Sequence, residues 1–261
     1  MKKRLKNYNL INDGFTFLPK IFKKREITSA RDGLWKTING IYETGRKPEA
    51  RFWEVGDDNN KIIKIDKPHL SNKKVWALIT NKRLGKALAE ETCSKRVQVW
   101  HSQVVWKPKS IKSSGNAGWH RDSQYWPFWG NDGLFTAWIA LSSVSVSSGP
   151  VRFIPGSNHW EDIGGLDFFD KDLVSQEKIL EEKHGDIKVV SALLSAGQVS
   201  IHSSQTYHSS SANLDEVPRV GMVVHFCTDR ATKKPVTGLN ATYLDQLNDA
   251  SISPVIYGGS P

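Results

Sequence analysis

Residues 96–108 read RVQVWHSQVVWKP, and the period of this stretch decides the fold class. Side chains of an extended chain alternate between faces, so Val97, Val99, His101, Gln103 and Val105 are expected on one face of a strand. Shorter runs of the same texture follow at Phe135–Leu141, Val151–Ile154, Val189–Leu194, Gln198–His202 and Val220–Cys227, and turn signals such as SSGP and PGS separate them. Upstream the period changes. After a short strand at Phe15–Leu18, residues Ile27, Ala30, Leu34, Ile38 and Ile41 recur at helical spacing, which predicts a helix from Glu26 to about Tyr42, ended by Gly45. A second helix is expected over Lys82–Glu91, with Asn81 as its cap and Leu84, Ala87 and Leu88 facing inward. SIKSSGNAG (110–118) reads as a polar loop, and Asp170–Glu182 as a short surface helix. Helices first and many short strands after them imply a mainly β chain with flanking α-helices, its body a sandwich or jelly roll.

Composition bounds the function. A chain of 261 residues with 38% hydrophobic residues is large enough for a real core. Mean hydropathy is −0.45 and no run approaches a membrane span, so no membrane partner is expected. Cys93 and Cys227 are the only cysteines, which excludes a disulfide framework or a four-thiolate metal site. The basic opening MKKRLKNYNLINDGF lacks an apolar core of a signal peptide, so the expected location is cytoplasmic. Charge is uneven. Residues 1–112 carry 26 Lys and Arg against 11 Asp and Glu, a net of +15; residues 113–261 carry 10 against 16, a net of −6; together they give the chain's +9. The basic half reads either as a solvated face or as an entrance that attracts an acidic substrate, with Lys107, Lys109 and Lys112 close to the centre of interest.

That centre is Trp119-His120-Arg121-Asp122. In an extended segment residues i and i+2 point to the same side, so the imidazole of His120 and the carboxylate of Asp122 converge. A distant histidine added to such a pair makes a 2-His-1-carboxylate set, which leaves open positions and suits Fe(II). Alone, His-x-Asp arises by chance in many chains; its place after a strand and a glycine-containing loop gives it context.

The chain carries more than this pair. HRDSQYWPFW (120–129), TAWIALSSV (136–144), SSGPVRFIPGSNHW (147–160) and AGQVSIHSSQTYHSSSANLDEVPR (196–219) resemble, in order, the motifs of the phytanoyl-CoA dioxygenase family, and DGFTFLP (13–19) fits that family's opening. The resemblance implies a double-stranded β-helix, Fe(II) as metal and 2-oxoglutarate as co-substrate. It implies one oxygenase domain over 1–261, with a helical part at 1–96, the jelly-roll core at 97–230 and a C-terminal extension at 231–261. Carried over by position, His120, Asp122 and His208 match the metal ligands. Arg219, eleven residues beyond His208, matches the arginine that binds the far carboxylate of 2-oxoglutarate. A guanidinium suits that task because it pairs with a carboxylate bidentately and stays charged. Ser210 matches a hydroxyl that assists it, Gln103 and Trp138 match residues lining the co-substrate pocket, and Lys64 in KIIKID matches a lysine at the pocket rim. One departure is Gly197-Gln198, where the family often has Gly-Asp; as it is a turn position, little effect on the chemistry is expected.

The activity so implied is hydroxylation of an unactivated C–H of a small, anionic molecule, using O2 and releasing succinate and CO2. Asp122 argues against a halogenase, which needs that coordination site for halide. Other classes stay open: a non-catalytic β-sandwich binding protein, an oxygenase acting on nucleic acid, or a zinc hydrolase, since His-Asp-His also binds zinc. No nucleic-acid module is recognisable, and Arg219 has no part in a hydrolase. Of the other histidines, His159 reads as a turn residue, His202 and His225 as packing groups or supports of the ligands, and His101 either as a packing group or, through its face shared with Gln103, as a support of the site. Tyr125, Trp126 and Trp129 are either core aromatics or substrate contacts. Oligomeric state is not legible in the sequence.

Overall fold

The computed structural model describes residues 8–110 and 115–259. In chain order the elements are β1 (Phe15–Leu18), α1 (Lys24–Ile38), β2 (Ala50–Arg51), β3 (Ile63–Asp66), α2 (Lys73–Ile79), α3 (Lys82–Glu91), β4 (Val97–Lys107), β5 (Ala117–His120), β6 (Leu134–Ala140), β7 (Val151–Phe153), α4 (Leu173–His184), β8 (Val190–Ser191), β9 (Val199–Ser203), β10 (His208–Ser210), β11 (Arg219–Thr228), α5 (Leu239–Asp245) and β12 (Val255–Tyr257). The strands form two antiparallel sheets. The larger runs β1-β9-β6-β11-β4-β3-β2, with β12 also paired to β4; the smaller runs β5-β10-β7-β8. Segments before residue 97 and after 230 therefore contribute strands to the main sheet, because β1, β2, β3 and β12 find paired edges on it.

The large sheet has two different faces. One packs on the helices through Ile27, Leu34, Leu84, Leu88, Val104 and Val224. The other meets the small sheet, where Phe15 of β1 stacks on Phe153 of β7 at 4.6 Å between ring centroids. Trp138, Val223 and Leu194 lie in the same inter-sheet layer. This is the expected jelly-roll arrangement, and it keeps one end of the gap between the sheets polar.

The alternation of β4 does not run unbroken. His225 of β11 pairs with His101, but the next residue, Phe226, pairs with Val99, so Trp100 is an extra residue in β4. Such a bulge reverses the phase of the strand. Val97 and Val99 thus join the helix-side core, while Gln103 and Val105 face the gap between the sheets, and the five residues do not share one face.

Local signals explain the helices and their corrections. Asn81 caps α3 by accepting from Arg83 N at 3.0 Å. Helix α1 begins at Lys24, with Glu26 accepting from Lys23 N, and ends at Ile38 rather than near Tyr42. Gly40, at φ +77, turns the chain there, which leaves Ile41 exposed. Helix α2 was absent from the expectation: its seven residues are too few for a periodic signal, and Asn72 caps it. The C-terminal part of the expected polar loop is strand β5, held by pairing with β10. No helix among the described residues is long and apolar enough to cross a membrane.

Candidate metal and anion site

The register of the small sheet builds the first half of the site. His120 at the end of β5 lies directly across from His208 at the start of β10. Residues 88 positions apart in sequence thus face each other, and their rings stand 4.1 Å apart. Asp122 follows in a 3-10 turn, Asp122–Tyr125. Its Oδ1 lies 3.9 Å from His120 Nε2 and 3.7 Å from His208 Nε2. The three ligand atoms all fall within 4.8 Å of one another and are buried.

Hydrogen bonds to the opposite atoms orient this set. His120 Nδ1 bonds Gly118 O at 2.8 Å and His208 Nδ1 bonds Thr206 O at 3.0 Å. A carbonyl only accepts, so each Nδ1 carries the hydrogen and each Nε2 lone pair is free. Asp122 Oδ2 accepts from Thr136 Oγ1 at 2.5 Å and from His202 Nε2 at 3.2 Å, which turns Oδ1 toward the imidazoles. Thr136 is in turn 2.8 Å from His225 Nδ1. Burial raises the Asp122 pKa, but His208, His202 and His225 outweigh it and hold the carboxyl well below its usual range. Burial pushes the pKa of His120 and His208 down, which favours the neutral imidazole, the form whose Nε2 lone pair a metal can accept.

The second half of the site is cationic. Arg219 opens β11 and is 2% exposed. Its Nε and Nη1 have no hydrogen-bond partner among the described residues. Its guanidinium carbon lies 5.1 Å from the centre of the Trp138 ring. Gly221 makes room for that ring, since a Cβ there would sit 2.2 Å from Trp138 Cζ2. Burial lowers the Arg219 pKa to about 10, which still leaves it charged at neutral pH. A buried guanidinium without an acceptor is costly, so this end of the cavity is built for an anion.

All eight residues singled out from the sequence, His120, Asp122, His208, Arg219, Ser210, Gln103, Trp138 and Lys64, line this one cavity of about 100 Å3. Lys64 stands at its rim, with Nζ 4.5 Å from the Phe52 ring centre and 5.7 Å from that of Phe168. Phe168, unnoticed in the sequence, presents its edge to His120 at 5.1 Å. Thr136 was missed as well, since a threonine inside an apolar strand carries no signal. Lys107 also lines the cavity, 1% exposed, instead of lying on a loop surface. Lys109 is on the surface and paired with Glu216, and Lys112 lies outside the described residues.

The remaining aromatic and histidine residues divide. Trp126 and Trp129 pack in a cluster with Trp100 and Phe128. Tyr125 stays partly exposed, 6.0 Å from the His120 ring, and donates to Asp167 while accepting from Phe168 N. His101 stacks on His225 at 5.6 Å and contacts Gln103. His159 bonds Ile11 O and ties a turn to the N-terminal segment. Gln198 accepts from Ser195 N at 2.8 Å within this turn.

The phytanoyl-CoA dioxygenase (PhyH) family model matches residues 11–221, a span that contains every residue of the cluster and Arg219. No curated protein matches the sequence. Solved structures do. The non-heme alpha ketoglutarate dependent carbocyclase SnoK from nogalamycin biosynthesis superposes at TM-score 0.72 with 19% identity, over 94% of this chain and 93% of SnoK. The epimerase SnoN, in complex with Fe3+, alpha ketoglutarate and nogalamycin RO, gives 0.65 and 22%, over 87% and 84%. EctD from S. alaskensis, with 2-oxoglutarate and 5-hydroxyectoine, gives 0.64 and 19%, over 84% and 73%. These likenesses show a shared double-stranded β-helix fold.

Proposed function

The chain belongs to the phytanoyl-CoA dioxygenase family, and we propose that it is an Fe(II)- and 2-oxoglutarate-dependent oxygenase that hydroxylates an unactivated C–H of a small anionic molecule. One observation carries this reading: a cavity that joins a free two-imidazole, one-carboxylate donor set to a buried guanidinium lacking an acceptor. The donor set fits iron, and the guanidinium fits the far carboxylate of the oxoacid. When bound, iron and 2-oxoglutarate supply oxygen activation and C–H oxidation, with succinate and CO2 as co-products.

The chain's own residues do the rest. His120 and His208 present Nε2 lone pairs, fixed by their Nδ1 bonds to backbone carbonyls. Asp122 offers Oδ1 while Thr136 and His202 hold Oδ2. Arg219 receives a carboxylate in a buried place beside Trp138, where charge-assisted hydrogen bonds are strongest. Gln103 and Val223 wall the same space. Lys64 lines the cavity near Phe168, and Lys171 lies 5.3 Å from the centre of the same ring, so an apolar surface and positive charge adjoin at the opening. That rim, with the +15 balance of residues 1–112, supports an anionic substrate.

The likeness to SnoK and SnoN favours a second outcome, ring closure or epimerisation in place of hydroxylation. A screen of anionic and neutral candidates decides, read by succinate release and by product mass. Hydroxylation adds one oxygen, ring closure removes two hydrogens, and epimerisation leaves the mass unchanged. Absence of succinate with every candidate, and of any 2-oxoglutarate binding, would sink the oxygenase reading.

A further inference from the structure

Lys107 ends β4 inside the cavity, paired in the ladder with Arg219. Its Nζ contacts Ser210 Oγ at 2.6 Å, Ser211 O at 2.8 Å and Ser210 O at 3.3 Å. Three acceptors thus meet its three hydrogens, and none of them is charged. The charges that act on it are those of Arg219, Lys171 and Arg152, all cations. Burial, and then these cations, push the ammonium well below its ordinary pKa. A neutral donor such as glutamine would tie β4 to β10 without burying a charge next to another charge, so a purely structural tie does not account for a lysine here.

The direction of the bond to Ser210 matters. An anion held by Arg219 favours the charged form of Lys107, and an ammonium has no lone pair, so in that state Ser210 Oγ accepts from Lys107. The Ser210 hydroxyl hydrogen is therefore turned away from Lys107, and Ser210 lines the cavity beside Arg219. We propose that Lys107 is a positioning residue of the oxoacid pocket: it makes Ser210 an obligate donor toward the far carboxylate and adds a second positive charge behind Arg219. The pocket then selects the co-substrate by its far carboxylate with two cations, one touching the ligand and one acting through a serine. This inference rests on the 2-oxoglutarate reading given above.

The test is calorimetric titration of the iron-loaded protein, kept without oxygen, with 2-oxoglutarate and with 2-oxopentanoate. The latter has the same chain and keto acid but no far carboxylate. Lys107→Met is expected to weaken 2-oxoglutarate about tenfold or more, as for the loss of a charged hydrogen-bond network, and to change 2-oxopentanoate by less than about twofold. Lys107→Arg, which keeps the charge, is expected to restore most of the affinity and the wild-type unfolding temperature. In Lys107→Met/Ser210→Ala the loss is expected to be smaller than the product of the single losses, because both act along one path. Equal weakening of both oxoacids by Lys107→Met would make the lysine a structural tie and overturn the inference. So would unchanged affinity for 2-oxoglutarate, and fully multiplicative losses would overturn the route through Ser210. Wild-type protein that does not prefer 2-oxoglutarate to 2-oxopentanoate would instead overturn the co-substrate reading itself, and this inference with it.

Discussion

The two ends of the cavity are finished to different degrees. At the metal end each proposed ligand has its second heteroatom engaged by the protein: His120 by Gly118, His208 by Thr206, Asp122 by Thr136 and His202. At the other end, among the described residues, Arg219 has two nitrogens without a partner and Lys107 bonds neutral oxygens only. The first end is set by backbone carbonyls and strand register, so its geometry exists before any ion arrives. The second is a local excess of positive charge that only a ligand completes. Geometry should therefore decide what variants do at one end, and charge at the other.

The comparison breaks first, and with the largest effect, at the metal end. Without oxygen, wild-type protein with Fe(II) and 2-oxoglutarate is expected to show a weak visible charge-transfer band. His208→Ala and Asp122→Ala each remove one of three donors, so the band should vanish or nearly so. An undiminished band in both variants would take these residues out of the site. Next in size is Arg219→Ala. Removing a buried charged partner costs about 2–5 kcal/mol, so oxoacid affinity should fall by more than tenfold while iron binding persists. Iron and oxoacid affinity falling together would mean that the two ends are not separate.

The same contrast governs what could be read from the sequence. The donor set and Arg219 were legible because they lie in short motifs with fixed spacing, His120 with Asp122, then His208 with Arg219 eleven residues on. The resemblance to a family supplied the long-range pairing, which spacing alone does not contain; in the structure that pairing is the His208–His120 register. What stayed hidden depends on partners. Trp100 is a bulge only because β11 lacks a residue opposite it. Lys107, next to Pro108, reads as a solvated strand end until Arg219 and Ser210 bury it. Thr136 becomes a support of Asp122 only once β6 lies beside the 3-10 turn. Local period and motif were visible, whereas burial of polar groups was not.

A third prediction sharpens the claim that the metal end is preset. Thr136→Val keeps the shape of the side chain but removes the 2.5 Å donor to Asp122 Oδ2. Loss of such an outer partner usually costs about 10–100-fold in metal affinity. Iron affinity measured by competition with a chelator should fall by that order, with oxoacid affinity at saturating iron nearly unchanged. Wild-type iron affinity in this variant would show that His202 alone suffices to orient the carboxylate.

The smallest expected effect lies at the rim, where charge is exposed and water screens it. Lys64 and Lys171 lie 5.7 Å and 5.3 Å from the centre of Phe168, the ring next to His120. Lys109, by contrast, is paired with Glu216 on the surface, so it adds little to the charge at the opening. Lysines in partly exposed positions are worth well under about 1 kcal/mol each for contact, but they raise the local concentration of anions over a Debye length of about 8–10 Å. For an anionic substrate, Lys64→Ala should therefore lower kcat/KM severalfold at low ionic strength, through KM more than kcat, and the gap between variant and wild type should close as salt is added. For a neutral analogue of the same substrate the variant and the wild type should agree at every salt concentration. A salt-independent deficit would mean that Lys64 acts by packing on Phe52, 4.5 Å away, and that the opening of the cavity is shaped by the stem of the lysine and not by its charge.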